Sequence, residues 1–405
     1  DFTDANIKGV NLSDAFSHGF TKEQLYSTNS YKEGSLRNIN FSNNDLRGID
    51  LKGKDLYYSN LTNANLSGSD LTGTLLCGTL KNTDFTDAII KNASLYGAVA
   101  KGFTREQLYS TASYKSGDLT GIKLSQNDLS GWDFSSKNLT NASIYATILK
   151  DTNFVDAIIN GADFHSTVDK GFTKEQFYST ASYKNGDISG VDLRSNNLND
   201  WNFTEKNLSN ARFDDTYLSE TTSFIGADLT NANFTNANAS STSFRNATLT
   251  NANLKGVDFA SVNFTNANLE GAAMKKAKLN ESIFRNANLT NAGFEEASLQ
   301  NVDFTNAIIK GANFEATYTY NYSSSKYEYS GSISAAQLYS TASYKNGDLS
   351  GIKFINNELD GYNFTGKNLS EADFTKAKFV NANLSKSTLA NAIFTDASLD
   401  NVNLS

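Results

Sequence analysis

Two histidines and one cysteine are the side chains of this 405-residue sequence best suited to metal or nucleophilic chemistry, and they stand far apart: His18, Cys77 and His165. A structural zinc site takes four Cys or His ligands at short spacing, so these three exclude one. No Ser-His-Asp or paired-His arrangement can be read from His18 and His165. Both sit beside the starts of inserted segments and read as loop or coil-edge residues. Cys77 follows Leu76 where a repeat slips by one residue, and it reads as a small packed side chain. No glycine-rich phosphate loop of the G-x-G-x-x-G or G-x-x-x-x-G-K-[ST] kind occurs. The expectation is a non-enzyme with no catalytic, cofactor-binding or metal-ligating residues. What remains is aromatic: Trp132 and Trp201, and the tyrosines of Thr317–Gly331, namely Tyr318, Tyr320, Tyr322, Tyr327 and Tyr329. These are the candidate interaction residues.

Composition narrows the classes further. Lys and Arg number 35 against 43 Asp and Glu, a net charge of −8, which disfavours binding to nucleic acid or an acidic membrane surface. A single Cys rules out a disulfide scaffold. No run of 18 apolar residues exists, so no membrane-spanning helix is expected. Proline is absent altogether, where average usage would be about 5%.

The positions that organise all of this recur every five residues. From Phe224 to Phe314 each fifth residue is apolar, as in Phe259, Phe264, Leu269, Met274, Leu279 and Phe284, and two places before each stands a small residue, mostly Ala. The other places hold mainly Asn, Asp, Thr, Ser, Gly, Lys and Glu. The same beat runs through Phe2–Leu12, Leu36–Leu76, Leu80–Leu95, Leu119–Phe164, Ile188–Leu218 and Leu349–Leu404. On an α-helix a five-residue step turns about 500°, so no apolar stripe forms. On a flat strand an odd period alternates faces. The small and large residues, two apart, share a face only if each short extended segment ends in a bend. The chain must therefore coil, with polar turn formers at the corners.

The unit A-[ND]-[LF]-[TSKE]-[NG] resembles the repeat of the pentapeptide-repeat family, over about four-fifths of the chain. The resemblance implies an all-β solenoid: a right-handed quadrilateral β-helix with four pentapeptides per coil, Leu and Phe ladders inside and small residues beside them. It leads us to expect one continuous solenoid over residues 1–405, of about 16 coils and roughly 75 Å at strand spacing. Proline would be excluded because the ladder needs every backbone N–H.

Four related segments break the beat: 19–34, 102–117, 171–186 and the shortened 332–347. In the first three, Thr-x-x-Gln reads as a capping box and the closing glycine as a helix stop. Each is expected to form one helix of two to three turns on the solenoid wall. The coil that follows carries Asn127, Trp132 and Lys137, or Asn196, Trp201 and Lys206, in slots that should hold small residues. A buried lysine is costly, so this coil is expected to leave the regular square, its Lys and Trp turned outward or under the helix. Thr317–Gly331 alternates Tyr with polar residues around Ser323–Lys326 and reads as a tyrosine-rich hairpin. Its face either covers the coil where the fourth insert lacks its Gly-Phe-Thr start, or offers an aromatic patch to a partner subunit or a glycan.

Three functional readings follow. Some members of the family mimic DNA and act on gyrase, but −8 over roughly 75 Å is sparse beside duplex DNA, with one charge per about 1.7 Å. A second reading is a glycan- or ligand-binding module. The favoured one is a non-enzymatic structural protein. The sequence opens and closes inside repeats with no initiator Met, and no polar cap hides Phe2, Ile7 and Leu12 or Phe394, Leu399 and Leu404. Copies are therefore expected to stack head to tail into a fibre. The insert core F-T-x-E-Q-L-Y-S-T-A-S-Y resembles that of long secreted bacterial members, which implies an extracellular or cell-surface setting.

Overall fold

Backbone bridges recur every twenty residues: Asp228 pairs with Thr248, Thr248 with Asn268, Asn268 with Asn288 and Asn288 with Ile308, all parallel. Four pentapeptides therefore close one coil and each coil lies on the next, a β-helix. The corner between sides is local. Ala232 N–H donates to Leu229 O at 2.9 Å, and Asn231 between them has φ 59°. Positive φ at the third residue is the mark of a type II turn, and Asn and Gly adopt it at least cost. No β-branched residue occupies the left-handed region among the described residues. The Asp228 carboxylate accepts Thr230 N–H at 3.0 Å, which explains the Asp or Asn before each large apolar residue. Leu229 N–H and Asn231 N–H then donate to Thr248 O and Thr250 O of the next coil, a ladder that proline would break.

The computed structural model describes residues 1–321 and 326–405, and the side chains of these except 319–321 and 326–329. The chain falls into two compact units, Asp1–Asp192 and Leu193–Ser405. In the second unit, Phe224, Phe244, Phe264, Phe284 and Phe304 form one fully buried column, with successive ring centroids 4.9, 5.2, 4.8 and 5.5 Å apart. Near-parallel rings at this distance are offset-stacked. Among the described residues, no helix is long and apolar enough to cross a membrane.

The inserts differ from the sequence expectation in two ways. Each holds two short helices rather than one: α1 (Lys22–Ser27) and α2 (Asn29–Lys32), α3 (Arg105–Ser110) and α4 (Ala112–Ser116), α5 (Lys174–Tyr178) and α6 (Ala181–Lys184), α7 (Ala335–Ser340) and α8 (Ala342–Lys345). Thr111, at φ −68° and ψ 150°, ends α3 and starts α4 by accepting Tyr114 N–H on its hydroxyl. A second N-cap inside the segment thus outcompetes helix continuation. The expected Thr-x-x-Gln capping boxes are all formed, and Ser334 makes a fourth with Gln337.

The second difference is that the inserts belong to the coil rather than resting on its wall. Phe103 and Leu108 are buried in the slots that follow Leu80 and Phe85, with Phe103 5.8 Å from the Phe85 ring. Leu80 N–H donates to Lys101 O, Asp87 N–H to Ser110 O, and Ala112 N–H to Ala88 O. Two sides of a coil are therefore built from helix, with the ladder preserved. The coil after the insert also stays regular: Asp118, Lys123, Asp128 and Asp133 bridge to Asn138, Ser143, Ile148 and Asn153 at the usual spacing. The expected departure from the square does not occur, because the helices stand off far enough to house large side chains beneath them.

Candidate functional site: the insert modules

Beneath the second insert lies Trp132, only 6% exposed, its ring 6.1 Å from Phe103, 6.5 Å from Tyr109 and 6.5 Å from Phe134. Trp201 is 3% exposed and 6.1 Å from Phe203. Neither tryptophan is a surface platform, which corrects their reading as interaction residues: over Trp132 the insert provides a roof that a regular coil lacks. Lys137 is half-buried with its Nζ 4.2 Å from the centre of the Tyr114 ring, and Lys367 repeats this over Tyr344. Each ammonium thus trades hydration for the face of an aromatic ring.

Every insert carries a close tyrosine pair, Tyr109 and Tyr114 being 4.3 Å apart. Together they clamp one peptide of the next coil: Tyr109 Oη accepts Asp133 N–H at 2.6 Å and Tyr114 Oη donates to Asp133 O at 2.8 Å. Burial pushes the Tyr114 and Tyr344 hydroxyls above the ordinary tyrosine range and that of Tyr183 to about 12. Asn127 fastens the other end. Its Nδ2 donates to Leu95 O and Leu124 O at 2.9 and 2.8 Å, and its Oδ1 accepts Val99 N–H at 2.9 Å. The modules therefore read as joints, built from the residues that depart most from the repeat.

Among the described residues, the one cluster with metal-ligating chemistry, Asp163, His165 and Asp192, brings its ligand atoms within 4.8 Å of one another. His165 Nδ1 lies 2.8 Å from Asp163 Oδ1, its ring stacks on Tyr145 at 4.6 Å, and Asp192 has partners of its own. The sequence hides this grouping because Asp163 and Asp192 are brought side by side by the bridge that spans the third insert. Cys77 is buried with its Sγ 3.4 Å from Ser94 Oγ. His18 is a surface residue whose Nδ1 lies 2.9 Å from Asp14 O.

Strands β1 (Thr317–Asn321) and β2 (Lys326–Ser330) form the hairpin, with Tyr318 opposite Tyr329 and Tyr320 opposite Tyr327. Tyr318 is exposed and donates to Asn356 O at 2.8 Å. Tyr322 and the side chains of Tyr320, Tyr327 and Tyr329 lie outside the described residues. Of the end residues, Phe2 is 37% exposed and meets Phe20 edge-on at 5.3 Å, whereas Ile7 and Leu12 are buried. That corrects their reading as open contact residues: Ile7 lies under the first insert, where its N–H donates to Ser30 Oγ, and Leu12 N–H donates to Asn40 O of the next coil. Phe394 is half-buried, Leu399 is 41% exposed and Leu404 60%.

The profile described as pentapeptide repeats (8 copies) matches residues 35–73, 220–251 and 368–405, and that of a pentapeptide repeat region matches 257–322. The chain belongs to the pentapeptide-repeat family. Its fold is accordingly that family's right-handed β-helix. Solved structures similar to this pentapeptide-repeat chain include HetL, involved in heterocyst differentiation regulation in the cyanobacterium Nostoc. It is 21% identical over 72% of this chain and 93% of its own, with a TM-score of 0.25. A pentapeptide-repeat protein of the Arabidopsis thaliana thylakoid lumen is 29% identical over 28% of this chain and 69% of its own, TM-score 0.20. QnrB1, a plasmid-mediated fluoroquinolone resistance protein, is 15% identical over 69% and 94%, TM-score 0.22. No curated protein sequence matches the chain.

Proposed function

We propose that this pentapeptide-repeat protein is a non-enzymatic scaffold that associates coil on coil into a fibre, outside the cell or at its surface. The observation that carries the reading is the continuity of the core through the inserts: even the segments that break the repeat place Phe103, Leu108, Phe172, Phe177 and Leu338 in the stack. A solenoid so built contacts mainly its neighbouring coils and resists local collapse. Leu399 and Leu404, beside the half-buried Phe394, are apolar slots that a coil of a second copy would cover, with Phe2 as the complementary candidate. The extracellular setting is supported by the likeness of the insert core to secreted members.

Mimicry of DNA is supported less. Acids are met by bases on adjacent coils, as in Lys278–Asp258 at 3.1 Å, Lys378–Glu358 at 2.9 Å and Lys52–Asp70 at 3.6 Å, which dilutes any negative stripe. The test is sedimentation and electron microscopy of the full chain over a concentration series, beside Leu399→Asp with Leu404→Asp. Linear assemblies that the double variant abolishes are expected. A chain that stays monomeric at the highest concentration would sink the fibre and leave the scaffold reading.

A further inference from the structure

The fourth insert begins differently from the second and third, and the difference opens a space. In the second, the 3₁₀ turn Val99–Lys101 runs into Gly102, whose φ of 93° lays its backbone against the coil before: a Cβ there would sit 3.0 Å from Lys81 Cα. Lys101 O accepts Leu80 N–H at 2.9 Å. The third insert repeats both features, with Gly171 against Lys150 and Leu149 N–H on Lys170 O. In the fourth, the hairpin replaces that turn, Ser332 stands in the glycine's place, Ile333 in that of Phe103 and Tyr362 in that of Trp132.

Three consequences are visible. The N–H of Leu299, the counterpart of Leu80, has no hydrogen-bond partner among the described residues. Asn357 Oδ1, whose counterpart on Asn127 holds Val99 N–H, is buried without a partner. A cavity of about 530 Å³ opens between Leu299–Asn301, Gly331–Ser334 and Tyr362.

We propose that this cavity is a binding site for a neutral saccharide. Its volume lies in the range of small-molecule sites, about 300–1,000 Å³. Leu299, Ile333 and the half-buried Tyr362 ring give it an apolar floor for the C–H face of a sugar, and Tyr362 is fixed by its hydroxyl on Ile333 O at 3.0 Å. Gln300, Asn301 and Ser332 line it with groups that exchange hydrogen bonds with hydroxyls. The Leu299 N–H calls for an acceptor, which a purely apolar ligand would not supply. No Lys or Arg lines the cavity among the described residues, which disfavours a phosphate, and Glu358 at its edge is paired with Lys378. The site is independent of the scaffold reading and stands or falls apart from it.

The test is methyl-resolved NMR of the full chain titrated with glucose, galactose, N-acetylglucosamine, cellobiose and chitobiose. Saturable shifts of the Leu299 and Ile333 methyls by at least one of these sugars are expected. Ser332→Gly with Ile333→Phe and Tyr362→Trp restores these three residues of the second insert, and should weaken that binding at least tenfold while leaving the melting temperature unchanged. The proposal is overturned if none of the sugars gives a saturable shift, or if the refilled variant binds as well as the original. It is overturned too if the peptide Val-Ala-Lys-Gly, the turn's own sequence, binds where the sugars do not.

Discussion

Phe264 and Phe103 do the same work on different backbones. Phe264 sits on a pentapeptide side, one step from a type II corner, in a column of rings spaced twenty residues apart. Phe103 lies between a 3₁₀ turn and α3, in an insert that lengthens its coil, yet it is equally enclosed, between Phe85 and Trp132. The ladder of coils therefore fixes where an apolar side chain must arrive. It does not fix the local structure that delivers it. A helix is admitted when its first turn is capped and its apolar residues meet the slots.

The largest effects test whether the two are equivalent. Phe264→Ala is expected to cost about 3–5 kcal/mol in chemical denaturation, as for other buried aromatic deletions, and Phe103→Ala a similar amount. A cost below about 1 kcal/mol at Phe103 would make the insert an appendage and break the comparison. The second effect separates the regions by pH. Burial raises the Tyr31, Tyr114 and Tyr344 hydroxyls, and Tyr183 to about 12. In the folded chain these groups keep protons that the unfolded chain gives up near pH 10. Their stabilisation is thus complete below about pH 10 and is lost as pH rises toward 12. Melting temperatures should fall across that window. A flat profile from pH 9 to 12 would mean that the tyrosine clamps open freely.

Much of this was legible without coordinates. A period of five with a small residue two places earlier admits little but a coil, and Asn or Gly at the corner follows from its positive φ. The interior role of the inserts was legible too, in a signal easily passed over: Phe20 and Leu25, Phe103 and Leu108, Phe172 and Phe177, and Ile333 and Leu338 keep the five-residue step inside segments that look like interruptions. The break into two helices was harder to see, because Thr111 also suits a helix interior and only its cap geometry decides. The cavity at the fourth insert was not readable at all. It depends on how a glycine backbone lies against the coil before it, as Gly102 does against Lys81, and on what is left when that contact goes.

Smaller effects sharpen the comparison between intact and truncated modules. Asn127→Ala strips partners from Val99 N–H, Leu95 O and Leu124 O and should cost about 2 kcal/mol. Asn357→Ala should cost about 1 kcal/mol less, since its Oδ1 holds nothing. Equal losses would show that the carbonyl contacts alone matter and that the turn adds no stability.

The smallest effect asks how much the helix caps add once the slots are filled. Thr104 Oγ1 accepts Gln107 N–H at 3.3 Å and Gln107 Oε1 accepts Thr104 N–H at 2.8 Å, a complete box at an exposed helix start. Thr104→Ala should lose about 1 kcal/mol. Thr265→Ala, on a regular side where Asn263 accepts the backbone N–H and Asn246 N–H donates to the carbonyl, both kept on substitution, should stay within about 0.5 kcal/mol of the parent. If the two losses prove equal, α3 is held by Phe103 and Leu108 alone. The cap would then serve to choose helix over pentapeptide during folding and would add little once the coil is closed.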